Sequence, residues 1–273
     1  MHTIGQAVTA KSTAPRTSRW MGLGLAALGV ALMAVGGGFF GYVSYARGGI
    51  GDVSVALPVV PAPSADIAPL EPQAPFTAPL HGTDPIWDQL VEDQRVVSGF
   101  VPVSDAFLPA SGLSKPTRVR IPAIGLDSDV MQLRILDLDD ARQYQTPPQV
   151  VGHIPESASP GEVGNSWLFG HLESPLREEG SVFAALPEVH DLLRDGRTVY
   201  VIVDSADGEF LYQVHDFKVI PRDELTLWES TERTVTLVTC WPRFVYDERV
   251  VVTTKLVGVR GVASSLDSPL PAG

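Results

Sequence analysis

Hydrophobic and polar positions divide the chain into three stretches of different character. Residues 20–46 carry no charged side chain and read, at their heart, MGLGLAALGVALMAVGGGFFGYVSY, between Arg19 and Arg47. A run this long has no polar face to offer water, and about 20 apolar residues in a helix cross the hydrocarbon of a bilayer. The pattern predicts a transmembrane anchor over 20–46. Lys11, Arg16 and Arg19 precede it, and positions 1–19 contain no acidic residue. The positive-inside tendency therefore puts the N-terminus in the cytoplasm and residues 47–273 outside. Trp20, Tyr42 and Tyr45 lie near the ends, where aromatic rings favour the membrane interface. Ser44-Tyr45-Ala46 has the form of a small-residue cleavage site. The apolar run is longer than the roughly 7–15 residues of a signal h-region, which favours an uncleaved anchor.

The second stretch, 47–114, reads as a linker. Eight prolines fall between Pro58 and Pro85; each fixes φ and lacks a backbone donor, so this segment is expected to be an extended, semi-rigid spacer. Asp84-Pro85-Ile86-Trp87 has the form of a helix start, with Asp84 as N-cap, Pro85 in the first turn, and Ile86, Leu90 and Val91 as an apolar face.

From Lys115 the pattern turns to short, β-rich runs. Val119-Arg120-Ile121 alternates and is closed by Pro122; Ser166–Gly170, Lys218–Ile220, Thr234–Thr239 and Val250–Leu256 are further strand candidates. Thr198–Val203 and Glu209–Val214 flank Asp207-Gly208, a hairpin signal. Leu186–Arg194, ended near Gly196, is the clear helix candidate. Many short strands separated by turn residues predict an all-β barrel or sandwich over 115–258, followed by a flexible tail at 259–273.

Charge and cysteine usage narrow the function. With 32 acidic residues against 20 basic ones and a formal charge of −12, the chain lacks the basic surface that a nucleic-acid binder needs. Its single cysteine can form neither an internal disulfide nor a cysteine-based zinc site, and outside the cytoplasm an unpaired thiol is a candidate reactive group. No metal-ligand cluster or cofactor motif is evident.

Thr236-Leu237-Val238-Thr239-Cys240 places that cysteine at the end of a β-branched strand, and Arg249 follows nine residues later, opening Arg249-Val250-Val251-Val252. An antiparallel return would bring the two side chains to neighbouring strand ends. A thiol with an ordinary pKa near ~8.5 needs a base or a cation to act at neutral pH. Arginine can hold a thiolate or oxyanion, and histidine can move the proton. Of six histidines, His2 is cytoplasmic and His81 lies in the linker; His190 in the helix and His215 at a strand end read as surface or edge residues. His153 and His171 both follow glycine after an apolar run, and spacing does not choose between them.

These residues resemble a family. Thr236–Cys240 matches the TLxTC motif of sortases, Pro242 follows as it often does there, and Arg249 has the spacing seen in several sortase classes. Asn165–His171 is similar to the segment carrying the sortase catalytic histidine, and Glu156–Glu162 to the SAxPGExGN run before it. Arg118–Val130, with Ile121-Pro122-Ala123-Ile124-Gly125, resembles the first barrel strands. Leu172 and Trp241 depart from the arginine and threonine frequent at those positions. The resemblance implies an eight-stranded barrel and selects His171. It further implies catalysis by His171, Cys240 and Arg249 without a cofactor, with Thr239 shaping the substrate pocket. Implied partners are secreted proteins with a C-terminal LPxTG-like sorting signal and an amine of the cell envelope or a pilin lysine. An extracytoplasmic cysteine peptidase and an inactive binding module are the competing readings. Pilus-building sortases also carry an Asp-Pro-aromatic lid; here Ile86 intervenes before Trp87, which favours the helix start.

Overall fold

A computed structural model describes residues 17–48, 50–55, 92–103, 108–138, 141–173 and 180–262. The expected spacer at 58–85, the helix start at Asp84–Trp87 with Leu90 and Val91, and His2 and His81 lie outside the described residues. The chain forms two compact units, Met1–Gly49 and Ile50–Gly273.

The first unit is helix α1 (Thr17–Gly48). Its apolar span, Leu23–Gly48, has 26 residues, about 39 Å at 1.5 Å per residue and longer than the ~30 Å hydrocarbon layer. Leu25, Leu32, Met33, Val35 and Phe40 along it are exposed. The helix is long and apolar enough to span a membrane.

In the second unit the described strands are β1 (Val53–Ser54), β2 (Val101–Pro102), β3 (Pro116–Ile121), β4 (Leu126–Gln132), β5 (Arg134–Leu138), β6 (Ala141–Gln145), β7 (Val151–His153), β8 (Gly164–Phe169), β9 (Tyr200–Ser205), β10 (Gly208–Pro221), β11 (Arg233–Trp241) and β12 (Glu248–Arg260). Eight of them run in the order β10-β9-β3-β4-β7-β8-β11-β12, and β12 pairs back onto β10. The sheet is thereby a closed eight-stranded barrel, which removes the open edges that invite aggregation. Strands β4–β7 and β8–β11 pair in parallel, and the other ring pairs are antiparallel. Inward side chains such as Val119, Ile121, Leu168, Phe210, Leu237, Val250 and Val252 fill the barrel. Helix α2 (Val189–Arg194) follows a 3₁₀ turn, Leu186–Glu188; the turn buries Leu186 and the helix buries Val189 and Leu193 against this core.

Several expectations change. Glu209–Val214 and Lys218–Ile220 are one strand, β10, with a register shift between Val214 and Asp216. His215 therefore sits inside a strand rather than at its end, and its Nδ1 lies 2.9 Å from the Val55 carbonyl oxygen. His190, read as a surface residue, is buried and contacts the Phe217 ring. The hairpin turn is Ala206-Asp207, since Gly208 already pairs with Ser205. Residues 259 and 260, expected in the tail, belong to β12 opposite Phe210 and Glu209. Part of the expected linker joins the globular unit, because β1 pairs with β10 and β2 with β12. Two-residue strands carry no readable periodicity, which is why the pattern missed them. A helix occupies 92–97, after the predicted start.

Candidate active site

Side chains alternate across a strand, and that alternation assembles the site. On β11, Val235 and Leu237 point into the barrel core, so Thr234, Thr236, Val238 and Cys240 point outward. On β12, Val250 and Val252 point in, so Arg249 and Val251 point out. On β8, Leu168 points in, and Trp167 and Phe169 pack outside with Val238 and Val251. Cys240 and Arg249 are direct partners across the antiparallel β11–β12 pair. The parallel β8–β11 pair sets Phe169 opposite Val238, and the Gly170 N–H donates to the Val238 carbonyl at 3.2 Å. That bond carries the β8 exit, and with it His171, to the end of β11.

Cys240, His171 and Arg249 are each half-buried and line one groove of about 430 Å3. Its floor is apolar, built by Leu133, Ile154, Phe169 and Val238, and residues of the β10–β11 loop, Leu225 and Leu227, wall one side. Arg249 Nη1 donates to the carbonyls of Tyr246 at 3.1 Å and Glu248 at 2.7 Å, which fixes the guanidinium at the mouth of the β11–β12 turn. A ring nitrogen of His171, Nε2, lies 3.3 Å from the Thr146 carbonyl oxygen. The segment after His171 is tied to that same turn: the Tyr246 hydroxyl donates to the Glu173 carbonyl at 3.0 Å, and Arg243 donates to the Ala184 carbonyl at 3.2 Å.

The two glycine–histidine pairs that look alike in sequence have different surroundings. Both glycines are sites of close approach. A Cβ on Gly152 would lie 2.0 Å from Leu133, and one on Gly170 would lie 2.5 Å from Phe183. His153, however, is 0% exposed, with ring nitrogens 2.8 Å from Gln132 Oε1 and 3.1 Å from the Ala158 carbonyl oxygen. Burial pushes its pKa down from 6.5 to about 4, so it is neutral at pH 7 and is a structural residue. The unfolded chain binds a proton near pH 6.5 that the folded chain refuses until about pH 4. Stability contributed by neutral His153 is therefore present above pH 6.5 and is lost as pH falls between these values, by roughly 3 kcal/mol. His153→Gln is expected to flatten this dependence. Denaturation midpoints of the two proteins at about pH 7 and pH 4.5 measure it, and equal slopes would count against the assignment.

Thr239, expected to shape the pocket, is among the residues that line the groove, although its side chain lies on the strand face opposite Cys240. It is 2% exposed, and its hydroxyl donates to the Gly170 carbonyl at 2.9 Å. The bond ties the residue before the cysteine to the residue before His171. Thr239→Val is expected to cost about 1–3 kcal/mol, the range for a buried acceptor losing its donor, and to slow acylation of Cys240; Thr239→Ser, which keeps the hydroxyl, restores both. Denaturation midpoints and the rate of thiol acylation test the pair.

Leu172, where the motif departs from its relatives, is buried, and Trp241 packs on the barrel core. Among the described residues, no group of three or more His, Cys, Asp or Glu side chains is arranged to hold a metal ion. Sequence reasoning missed Tyr144, Thr146, Arg222, Leu225 and Leu227, which also line the groove. The one local signal was Leu225-Thr226-Leu227-Trp228, an apolar run between charged neighbours in a loop.

A thiol, an imidazole and a guanidinium around one groove are groups that can together support acyl transfer through a cysteine. A family model described as the sortase domain matches residues 119–257, about half of the chain. The chain belongs to the sortase family, whose members are cysteine transpeptidases. Among curated proteins no match is found. Among solved structures, sortase C1 from Streptococcus agalactiae is 25% identical, with 52% of this chain and 66% of that chain covered and a TM-score of 0.39. Sortase C-3 from Streptococcus pneumoniae is 22% identical, with coverages of 63% and 81% and a TM-score of 0.40. A sortase from Actinomyces oris is 19% identical, with coverages of 63% and 95% and a TM-score of 0.41. This chain thus spans 66% of the length of the Streptococcus agalactiae protein.

Proposed function

We propose that this sortase is a single-pass membrane protein, anchored by α1 with its N-terminus cytoplasmic, that cleaves LPxTG-like sorting motifs and joins the acyl fragment to an amine. Its catalytic domain is assigned to residues 115–260, outside the membrane. The observation that supports this most is the meeting of Cys240, His171 and Arg249 around one apolar-floored groove.

The chemistry follows from the three groups. The Cys240 thiolate attacks the scissile carbonyl, and Arg249 stabilises the oxyanion with N–H donors other than those of Nη1, which are bound to its own turn. The C–N bond breaks as protonated His171 gives its proton to the departing amine, leaving an acyl group on Cys240 Sγ. An incoming amine, from the cell envelope or a pilin lysine, attacks this thioester. His171 takes up the proton that the amine loses, the C–S bond breaks, and the thiolate returns. The apolar floor suits the leucine and proline that lead such a motif, since both lose water on docking there.

The test uses the full chain in detergent micelles, a panel of LPxTG-like peptides, and glycine-based or diamine nucleophiles, with products followed by mass spectrometry. An acyl adduct on Cys240 and an amine-ligated product are expected. Cleavage that no amine diverts would replace this reading by a peptidase, and an unreactive thiol with every peptide would replace it by a binding module.

A further inference from the structure

A second cleft, of about 470 Å3, lies on the same outer face of the barrel. It shares Tyr144, Ile154 and Leu227 with the catalytic groove, so the two form one continuous channel. Its own features are not needed for the chemistry at Cys240. Three of the large apolar side chains exposed in the globular unit line it: Val163 at 43%, Leu227 at 49% and Trp228 at 39%. Exposed apolar groups gathered in one concavity mark a binding surface, whereas scattered ones do not. Trp228 stands edge-on against Trp167, with ring centroids 4.4 Å apart, so its indole is already ordered and little side-chain entropy is lost on binding.

A second, independent observation is Asn165. It is 4% exposed and lines this cleft. Its Oδ1 accepts from the hydroxyls of Thr234 at 3.1 Å and Thr236 at 2.9 Å, whereas Nδ2 is buried with no acceptor among the described residues. A buried donor left unmade is costly, and a peptide carbonyl is the acceptor that an extended chain in the channel would bring. Glu156, Glu162 and Glu229 outnumber Lys115 along the cleft, giving it a negative field.

We propose that this cleft is a subsite for the substrate polypeptide immediately upstream of the sorting motif, taking an apolar or aromatic residue on Trp228 beside a basic one. The proposal rests on the transpeptidase reading. That reading puts the scissile carbonyl at Cys240 and the apolar head of the motif on the floor leading away from it. The chain before the motif then continues over Leu227 to Trp228. Substrate choice thereby extends beyond the motif itself.

The experiment compares, on the full chain in detergent, a peptide bearing the motif alone with one extended upstream by an aromatic and a lysine residue. Acylation of Cys240 is read as kcat/KM. The extended peptide is expected to react about tenfold faster, as one well-packed aromatic contact allows. In Trp228→Ala the ratio of extended to short falls to about one. Glu229→Lys is a second variant, exposed and thus safe for folding; it is expected to reverse the preference between upstream lysine and upstream glutamate. If the short peptide acylates Cys240 and upstream extension changes nothing, or if the gain comes only from downstream extension, the subsite is overturned and the transpeptidase reading survives. If neither peptide acylates Cys240, both fall together.

Discussion

Replacing Cys240 by alanine is expected to abolish acyl-adduct formation and amine ligation together, with no residual turnover above the uncatalysed rate. The size of the effect follows from the proposed chemistry: a thioester intermediate has no other thiol on which to form, since the chain holds one cysteine. The fold is expected to survive. Cys240 is half-buried and points out of the barrel, opposite the packed face formed by Leu237 and Val235. Loss of its thiol should change stability by less than about 1 kcal/mol. Unchanged circular dichroism and an unchanged denaturation midpoint, beside a blank mass spectrum, are the expected results. An adduct that persists in Cys240→Ala would place the nucleophile elsewhere and sink the mechanism.

Arg249→Ala is expected to lower kcat by about 10²–10³-fold, the cost of removing one preorganised donor from an oxyanion. The register makes the position irreplaceable: Arg249 is paired directly with Cys240, and its guanidinium is fixed by the carbonyls of Tyr246 and Glu248. Arg249→Lys is expected to recover little. An ammonium can satisfy those carbonyls or reach the reacting oxygen, but it lacks the planar fork that serves both. The split between parameters matters here. An interaction made only in the transition state lowers kcat and kcat/KM equally, while a substrate-binding arginine raises KM. Single-turnover acylation rates over a range of peptide concentrations separate these outcomes, and a pure KM effect would move Arg249 from catalysis to recognition.

The legible part of this protein was local. An uncharged apolar run announces α1, because it supplies enough consecutive apolar residues for a helix long enough to span a bilayer. The order Thr236–Cys240, a turn, then Arg249 announces a strand end and its antiparallel return, and the direct Cys240–Arg249 pairing follows from a turn short enough to hold both ends together. The segment Asn165–His171 was legible only through its resemblance to the sortase histidine segment, since local spacing left His153 equally open. The all-β barrel was anticipated from strand density and from the resemblance, although the division of β10 was misread. A bulge at His215 interrupts alternation without ending the strand.

What local pattern left open was settled by contacts between residues distant in the chain. His153 and His171 follow the same glycine signal, and neither composition nor spacing separates them. Folding buries one beside Gln132 and Ala158 and carries the other to Cys240. That step depends on the parallel β8–β11 register, a pairing across more than sixty residues that no period-two pattern encodes. The same holds for Trp228, an apolar residue in a polar loop until Trp167 meets its ring. By itself the sequence determined the long apolar helix, the strand-forming segments and the residues able to carry chemistry, because each depends on neighbours within a few positions. Only the tertiary structure decided which histidine is buried, which strand faces form the groove, and how far that groove runs, because those depend on the closure of a barrel whose partners are remote in sequence.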